Sequence, residues 1–315
     1  MKQKKSISAL LSEYFIFIIF IALVVVLTIL KNSFISPDNL VNILKQASIN
    51  GILAFGMMFV IIAGGFDMSV GSTIAFSGII AALFGQGNCP LIVALLLAML
   101  GGLAVGIVNG IGVAVGDLPP FIMTLGTMTA VRGLALLLCD GKPITGMTKE
   151  YRAVAASDIC GIPMLAIFLI IVIVICAFVL SKTVYGRRVY ACGGNIMAAR
   201  VAGINTTVIR ASTYAIAGFL AGFCGFLMTS RVTIGQPTAA EGYEMDAITA
   251  CVVGGVSMSG GVGKSWGVVV GTLLITVIAN GLDILGVSSN WQKVVKGVII
   301  VAAVLMDVKG KGKKR

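Results

Sequence analysis

The chain has 315 residues, 58% of them hydrophobic and 11% charged. Soluble domains carry roughly a quarter charged residues, so a water-covered globule is excluded. The net charge of +11 has no soluble domain to shape a nucleic-acid groove and reads instead as membrane topology and contact with anionic lipid.

Every backbone polar group in lipid must be satisfied within its own segment, so crossing takes about 20 mostly apolar residues in a helix. In chain order, strong apolar runs fall at 15–30, 43–63, 91–111, 164–180, 211–229, 266–285 and 294–306. Weaker ones, shorter or interrupted by Gly or Pro, fall at 70–85, 119–139 and 246–256. The expectation is an all-α integral membrane protein, one polytopic bundle of about ten helices, or eight if some of the weaker segments are re-entrant. A single transmembrane domain then spans 1–315, with a basic tail at 308–315. The first run follows Lys2, Lys4 and Lys5 without a small-residue cleavage site before Lys31, and is read as an uncleaved anchor.

Basic loops stay on the cytoplasmic side. With ten spans starting inside, Lys182, Arg187, Arg188, Arg200, Arg210, Lys264, the three N-terminal lysines and the cluster Lys309 to Arg315 all fall inside, which predicts that both termini are cytoplasmic. Seven cysteines lack C-x-x-C spacing and histidine is absent, which speaks against zinc, iron and a disulfide framework.

Two connections are long. The outer one, 140–163, carries Asp140, Lys142, Lys149, Glu150, Arg152 and Asp158, and reads either as a hydrated connector or as a surface for a soluble partner. The inner one, 182–210, includes Gly186, Arg187, Arg188, Gly193, Gly194, Asn195, Ala198, Ala199, Arg200 and Gly203. Its centre predicts a helix of about two turns, with Asn195 as N-cap after two glycines and Gly203 closing the C-terminus. Small alanines on such a helix make a knob that another protein's groove can accept.

Polar residues within spans mark pathways or helix contacts. Asn50, Asp67, Ser69, Ser72, Asn109, Thr124, Thr127, Asn280 and Asp283 are the candidates for a translocation path or a helix break. Asp67 follows two glycines, where its carboxylate can cap the next helix or meet a solute. Arg132 is expected to snorkel or to pair with Asp140. Glu241 and Glu244 are candidate contacts for an outer partner, and Asp246 is expected to cap the helix it begins. Gly64-Gly65-Phe66-Asp67-Met68-Ser69 is weakly echoed by Gly254-Gly255-Val256-Ser257-Met258-Ser259, and Asn109-Gly110 by Asn280-Gly281, which suggests a duplicated origin. The 40 glycines are expected to serve close helix packing. Gly263-Lys264-Ser265 is not a phosphate loop, because the earlier glycine it requires would stand at 258, where Met258 is found.

The segment around Met197-Ala198-Ala199 and Gly203 resembles the coupling region of ABC importer permeases, with Met197 in the place of that pattern's glutamate. The stretches 61–72 (IIAGGFDMSVGS) and 235–263 (GQPTAAEGYEMDAITACVVGGVSMSGGVG) resemble permeases of the ribose, galactose and xylose class of ABC sugar importers. The likeness runs from about Asn39 to Asp307. It implies a permease without catalytic residues of its own that works by alternating access. Its implied partners are a cytoplasmic ATPase that binds ATP and magnesium, an extracytoplasmic sugar-binding protein, and a second permease chain in a homodimer, all in a bacterial inner membrane. Three other readings stay open: an ABC permease for branched-chain amino acids, nucleosides or a signalling sugar derivative; a gradient-driven transporter working alone; and a membrane enzyme, for which no nucleophile, base or metal cluster is visible.

Overall fold

The computed structural model describes residues 7–87 and 89–312. Lys2, Lys4 and Lys5, and residues 313–315 of the basic tail, lie outside the described residues; the tail's earlier residues continue the last helix.

Among the described residues thirteen α-helices follow one another: α1 Ile7–Leu30, α2 Pro37–Ile62, α3 Val70–Gly85, α4 Leu91–Ala114, α5 Pro120–Leu138, α6 Lys149–Ala156, α7 Met164–Lys182, α8 Val184–Gly194, α9 Ile196–Val201, α10 Thr206–Val232, α11 Tyr243–Val253, α12 Ser265–Ile284 and α13 Ser289–Gly312. A 3-10 turn, Asn32–Ile35, precedes α2, and two-residue strands β1 Asp158–Ile159 and β2 Ile162–Pro163 pair antiparallel before α7. Starts are set by local chemistry. Ser36 accepts from Asn39 N with Pro37 in the first turn of α2, and Asn205 accepts from Val208 N at the head of α10.

Each of the ten apolar runs falls mainly within one helix, and 246–256 runs furthest past its helix end, by three residues. Six of these, α2, α4, α5, α7, α10 and α12, are long and apolar enough to cross a membrane, while α3 and the 16–30 part of α1 are apolar but shorter. The segment expected at 246–256 is different. Helix α11 begins earlier, at Tyr243, and has 11 residues. At 1.5 Å per residue it covers about 16 Å, half of a hydrocarbon core of about 30 Å. It is not a span by itself.

Helix α2 is the axis of the bundle, buried from Ala47 to Ile62 and flanked by α7, α10, α11 and α12. Helix α10 packs on α2, α3 and, most extensively, α4. The α4–α10 contact depends on glycine. A Cβ on Gly102 would lie 2.3 Å from Gly218 O, one on Gly106 2.3 Å from Tyr214 O, and one on Gly222 2.5 Å from Ala98 O. Backbones approach this closely only where both faces lack side chains. The outward faces of α4, α5, α7 and α13 carry exposed Leu, Ile, Val and Phe, as lipid contact requires.

Candidate functional site

At one end of the bundle lies the 182–210 connection, which folds as two helices rather than one. Thr183 accepts from Gly186 N and starts α8, which the sequence reading missed; Asn195 accepts from Ala198 N and starts α9 as expected. Helix α9 closes with Gly203 at φ +80, Gly203 N donating to Arg200 O and Ile204 N to Ala199 O. Gly186, Gly193 and Gly194 belong to helix, not to loop. All three lie inside α8, and a Cβ on Gly186 would fall 2.3 Å from Leu180 O.

The faces of this knob also differ from expectation. Ala199 points into the protein at 4% exposure, so it is no contact surface for a partner. Exposed are Ala198, Arg187, Arg188 and Arg200, with Met197 at 63% and Val201 at 88%.

Helix α8 is fastened to two other segments. Tyr190 OH donates to Gly263 O at 2.8 Å, and burial pushes that phenol up from its ordinary pKa, which keeps it a neutral donor. Gly261 N donates to Ile62 O at the end of α2. Gly193 sits between them: its Cβ would stand 1.7 Å from Ile62 O and 2.6 Å from Gly261 N. The end of α2, the 254–264 loop and α8 therefore meet backbone to backbone, with Gly64 and Gly260 at φ +84 and +81 turning the chain there.

The same junction explains the echoed motifs. In the first, Asp67 Oδ1 accepts from Ser69 N at 2.9 Å; in the second, Ser257 Oγ accepts from Ser259 N at 3.3 Å. Two equivalent turns thus follow α2 and α11, which fits the suggested duplication. Asp67 is buried, takes the Ser69 hydroxyl at 2.6 Å, and lies 3.3 Å from Asn109 Nδ2, which also donates to Ser69 Oγ at 2.8 Å. Ser72 Oγ donates to Ser69 O. Four of the candidate pathway residues, Asp67, Ser69, Ser72 and Asn109, therefore converge, in a sealed turn that orders the start of α3. Asp67→Ala would leave several buried donors unpaired at roughly 1–3 kcal/mol each. The expected result is a clearly lower thermal midpoint of the detergent-solubilised protein, and an unchanged midpoint would contradict the structural role.

The other candidates are scattered. Thr124 and Thr127 donate to Pro120 O and Met123 O of their own helix. Asn280 and Asn39 exchange amide hydrogen bonds at 2.9 and 3.0 Å, joining α12 to α2. Asp283 accepts from Gln292 Nε2, and Asn50 Oδ1 is buried without a partner among the described residues.

The opposite end corrects two expectations, those for Arg132 and Asp246. The 140–163 connection is a packed cap: Ile144 and Gly235 exchange backbone bonds, Tyr151 is fully buried with its OH donating to Phe226 O, and Ser230 Oγ donates to Tyr151 O. Its charged side chains remain exposed. Arg132 does not pair with Asp140; it donates to Pro237 O and Ala239 O at 2.7 and 2.8 Å. Asp246 does not cap α11, which starts from Gly242 at φ +85 without a side-chain cap; it pairs with Lys296 of α13 at 2.7 Å. Glu241 is exposed, whereas Glu244 turns inward, where a Cβ on Gly71 would meet its carboxylate. Among the described residues, no group of three or more Cys, Asp or Glu side chains gathers to hold a metal.

A family model described as the permease component of the branched-chain amino acid transport system matches residues 39–304. The chain belongs to this permease family. The permease is similar to the ribose import permease protein of Bacillus subtilis, 45% identical over 290 residues, which cover 91% of this chain and 90% of the relative. It is also similar to the D-allose transport system permease protein of Escherichia coli K12, 37% identical over 87% of this chain and 84% of the relative. The galactose/methyl galactoside import permease protein of Salmonella typhimurium is 35% identical, over 97% of this chain and 96% of its own. These relatives bear out the resemblance carried by 61–72 and 235–263. No solved structure matches the permease.

Proposed function

We infer that this permease is the membrane-spanning subunit of an ATP-driven importer of a monosaccharide of the ribose, galactose or allose type. The observation that carries the reading is end-to-end similarity to relatives named as import permeases for three such sugars, at up to 45% identity. The family description names branched-chain amino acids, but those relatives, matched over nearly their whole length, are sugar permeases.

In this reading the chain hydrolyses nothing. A cytoplasmic ATPase holding ATP and magnesium docks on α8 and α9, a sugar-binding protein delivers solute at the far end, and a second copy completes the pathway in a bacterial inner membrane. The junction at Gly193 supports the coupling role, because a push on α8 is delivered to the end of α2 and to the 254–264 loop without an intervening side chain. Segment parity supports a cytoplasmic position for both termini. Although α11 is short, residues 235–261 run from the cap end, where Gly235 pairs with Ile144, to the coupling end, where Gly261 meets Ile62. Counting this traverse with α1, α3, α13 and the six long apolar helices gives an even ten, which supports both termini lying on the side of α8 and α9.

Co-purification of the solubilised chain with candidate ATPases tests the docking surface. Ala198→Arg combined with Val201→Arg changes only exposed positions and is expected to lose the ATPase while the permease itself stays folded. Ala199→Arg is expected to damage the fold instead. Retention of the ATPase by the double variant would contradict docking on α9, and no ATPase on the wild-type chain would bring the gradient-driven reading forward.

A further inference from the structure

Most of the candidate pathway residues are held in helix contacts, Asn50 Oδ1 being an exception, and a different set of polar groups faces open space. Between α5 and the 237–244 segment lies a cleft of about 510 Å³, walled by Met128, Thr129, Arg132, Gly133 and Leu136, with Glu241 and Glu244 opposite. A second hollow of about 660 Å³ runs between α11 and α13, bounded by Met245, Gln292, Lys293, Lys296 and Ile300. Glu241 and Gly242 border both, so the two hollows adjoin at this turn as the two parts of a trough. It opens at the cap end, away from α8 and α9.

We propose that this trough is where the transported sugar touches the permease. This rests on the sugar-import reading above. The chemistry fits a neutral polyol. The lining carries Arg132, Lys293 and Lys296 with Glu241 and Glu244, and the buried Asp246 behind it neutralises Lys296, so no charge is left in excess to select an ion. Arg132 is already spent on the carbonyls of Pro237 and Ala239, and Lys296 on Asp246, which leaves the exposed Glu241 carboxylate as an acceptor for hydroxyls. Met128, Leu136, Met245 and Ile300 supply apolar wall for the C–H faces of a sugar ring. Helix α5 separates this trough from an apolar groove on its other side, lined by Gly126, Thr127, Ala130 and Leu134 with Phe76 and Val105. Thr127, first read as a pathway residue, belongs to that groove.

Two glycines of α5 give a clean test. A Cβ at Gly133 or at Gly126 meets nothing within 4 Å, so a larger side chain fills the trough or the groove respectively without striking the fold. Uptake of radiolabelled D-ribose, D-galactose and D-allose is measured in cells expressing the permease with its ATPase and binding protein, alongside ATP hydrolysis by the purified complex. Gly133→Phe and Glu241→Ala are each expected to lower uptake per ATP hydrolysed by about tenfold or more, the scale of one lost charge-assisted hydrogen bond. Gly126→Phe is expected to match wild type. Equal uptake by Gly133→Phe and Gly126→Phe would overturn the trough. So would loss, in Glu241→Ala, of the binding protein's stimulation of ATP hydrolysis, which would make Glu241 a docking residue. Should Gly133→Phe fail to assemble with the ATPase, Glu241→Ala alone decides. If the unaltered complex moves none of the three sugars, the sugar reading itself fails and takes the trough with it.

Discussion

Gly193→Val is expected to disconnect ATP hydrolysis from uptake. The substitution places a branched side chain where even a Cβ would stand 1.7 Å from Ile62 O and 2.6 Å from Gly261 N, so α8 must move off the end of α2 or off the 254–264 loop. Both obstacles are backbone, and neither can rotate away as a side chain would. Overpacking of this kind costs about 1–3 kcal/mol, which corresponds to roughly a tenfold or larger fall in uptake if it is expressed at the switching step. The ATPase should still co-purify through the exposed face of α9, which the substitution leaves in place, while the shifted α8 no longer passes its movement to α2. Gly194→Ala supplies the contrast: nothing lies within 4 Å of its Cβ, and uptake should be unchanged. Equal behaviour of the two variants would remove the mechanical role assigned to the junction.

The second large effect is expected at the α4–α10 crossing. Gly102→Leu drives a side chain into Gly218 O at 2.3 Å and into the backbone of Gly222 at 2.7 Å, and Gly218→Leu meets the same crossing from the other side. Helix association in a bilayer depends on close packing rather than on expulsion of water, so a wedge between these two helices removes the main attraction at their contact. Size-exclusion chromatography in detergent should show aggregated or absent protein for either variant and a normal peak for Gly126→Leu, whose side chain enters open space. A normal peak and thermal midpoint for Gly102→Leu would mean that the helices do not cross as described.

Much of the fold is legible in the sequence because lipid imposes a simple rule on it. Long apolar runs such as those of α4 and α7 have no soluble alternative, and their bounds follow from length alone. Asn195 was legible too, since an amide before a short helix has one common use. What stayed hidden depends on distant partners. Helix α8 stayed hidden because glycines at 186, 193 and 194 lower its local helix propensity; the structure keeps them helical, and the backbone of α2 and of the 254–264 loop explains why Gly193 has no side chain. Asp246 reads as a cap from its place in the first turn, while its actual partner Lys296 lies 50 residues away. Arg132 finds carbonyls more than 100 residues ahead, and backbone acceptors leave no mark in a sequence. Asp67 and Asn109 were both singled out, but nothing in the sequence brought them together.

The two fastenings at the cap end differ in kind. Asp246 and Lys296 hold α11 to α13 with opposite full charges, whereas Asn39 and Asn280 hold α2 to α12 through reciprocal amides that carry none. A transmembrane voltage does work on displaced charge and none on a neutral pair. While α11 and α13 stay fastened the Asp246–Lys296 pair is neutral as a whole, so a membrane voltage acts on it only when the two helices part and each charge moves by itself, whereas parting the α2–α12 frame separates no charge at all.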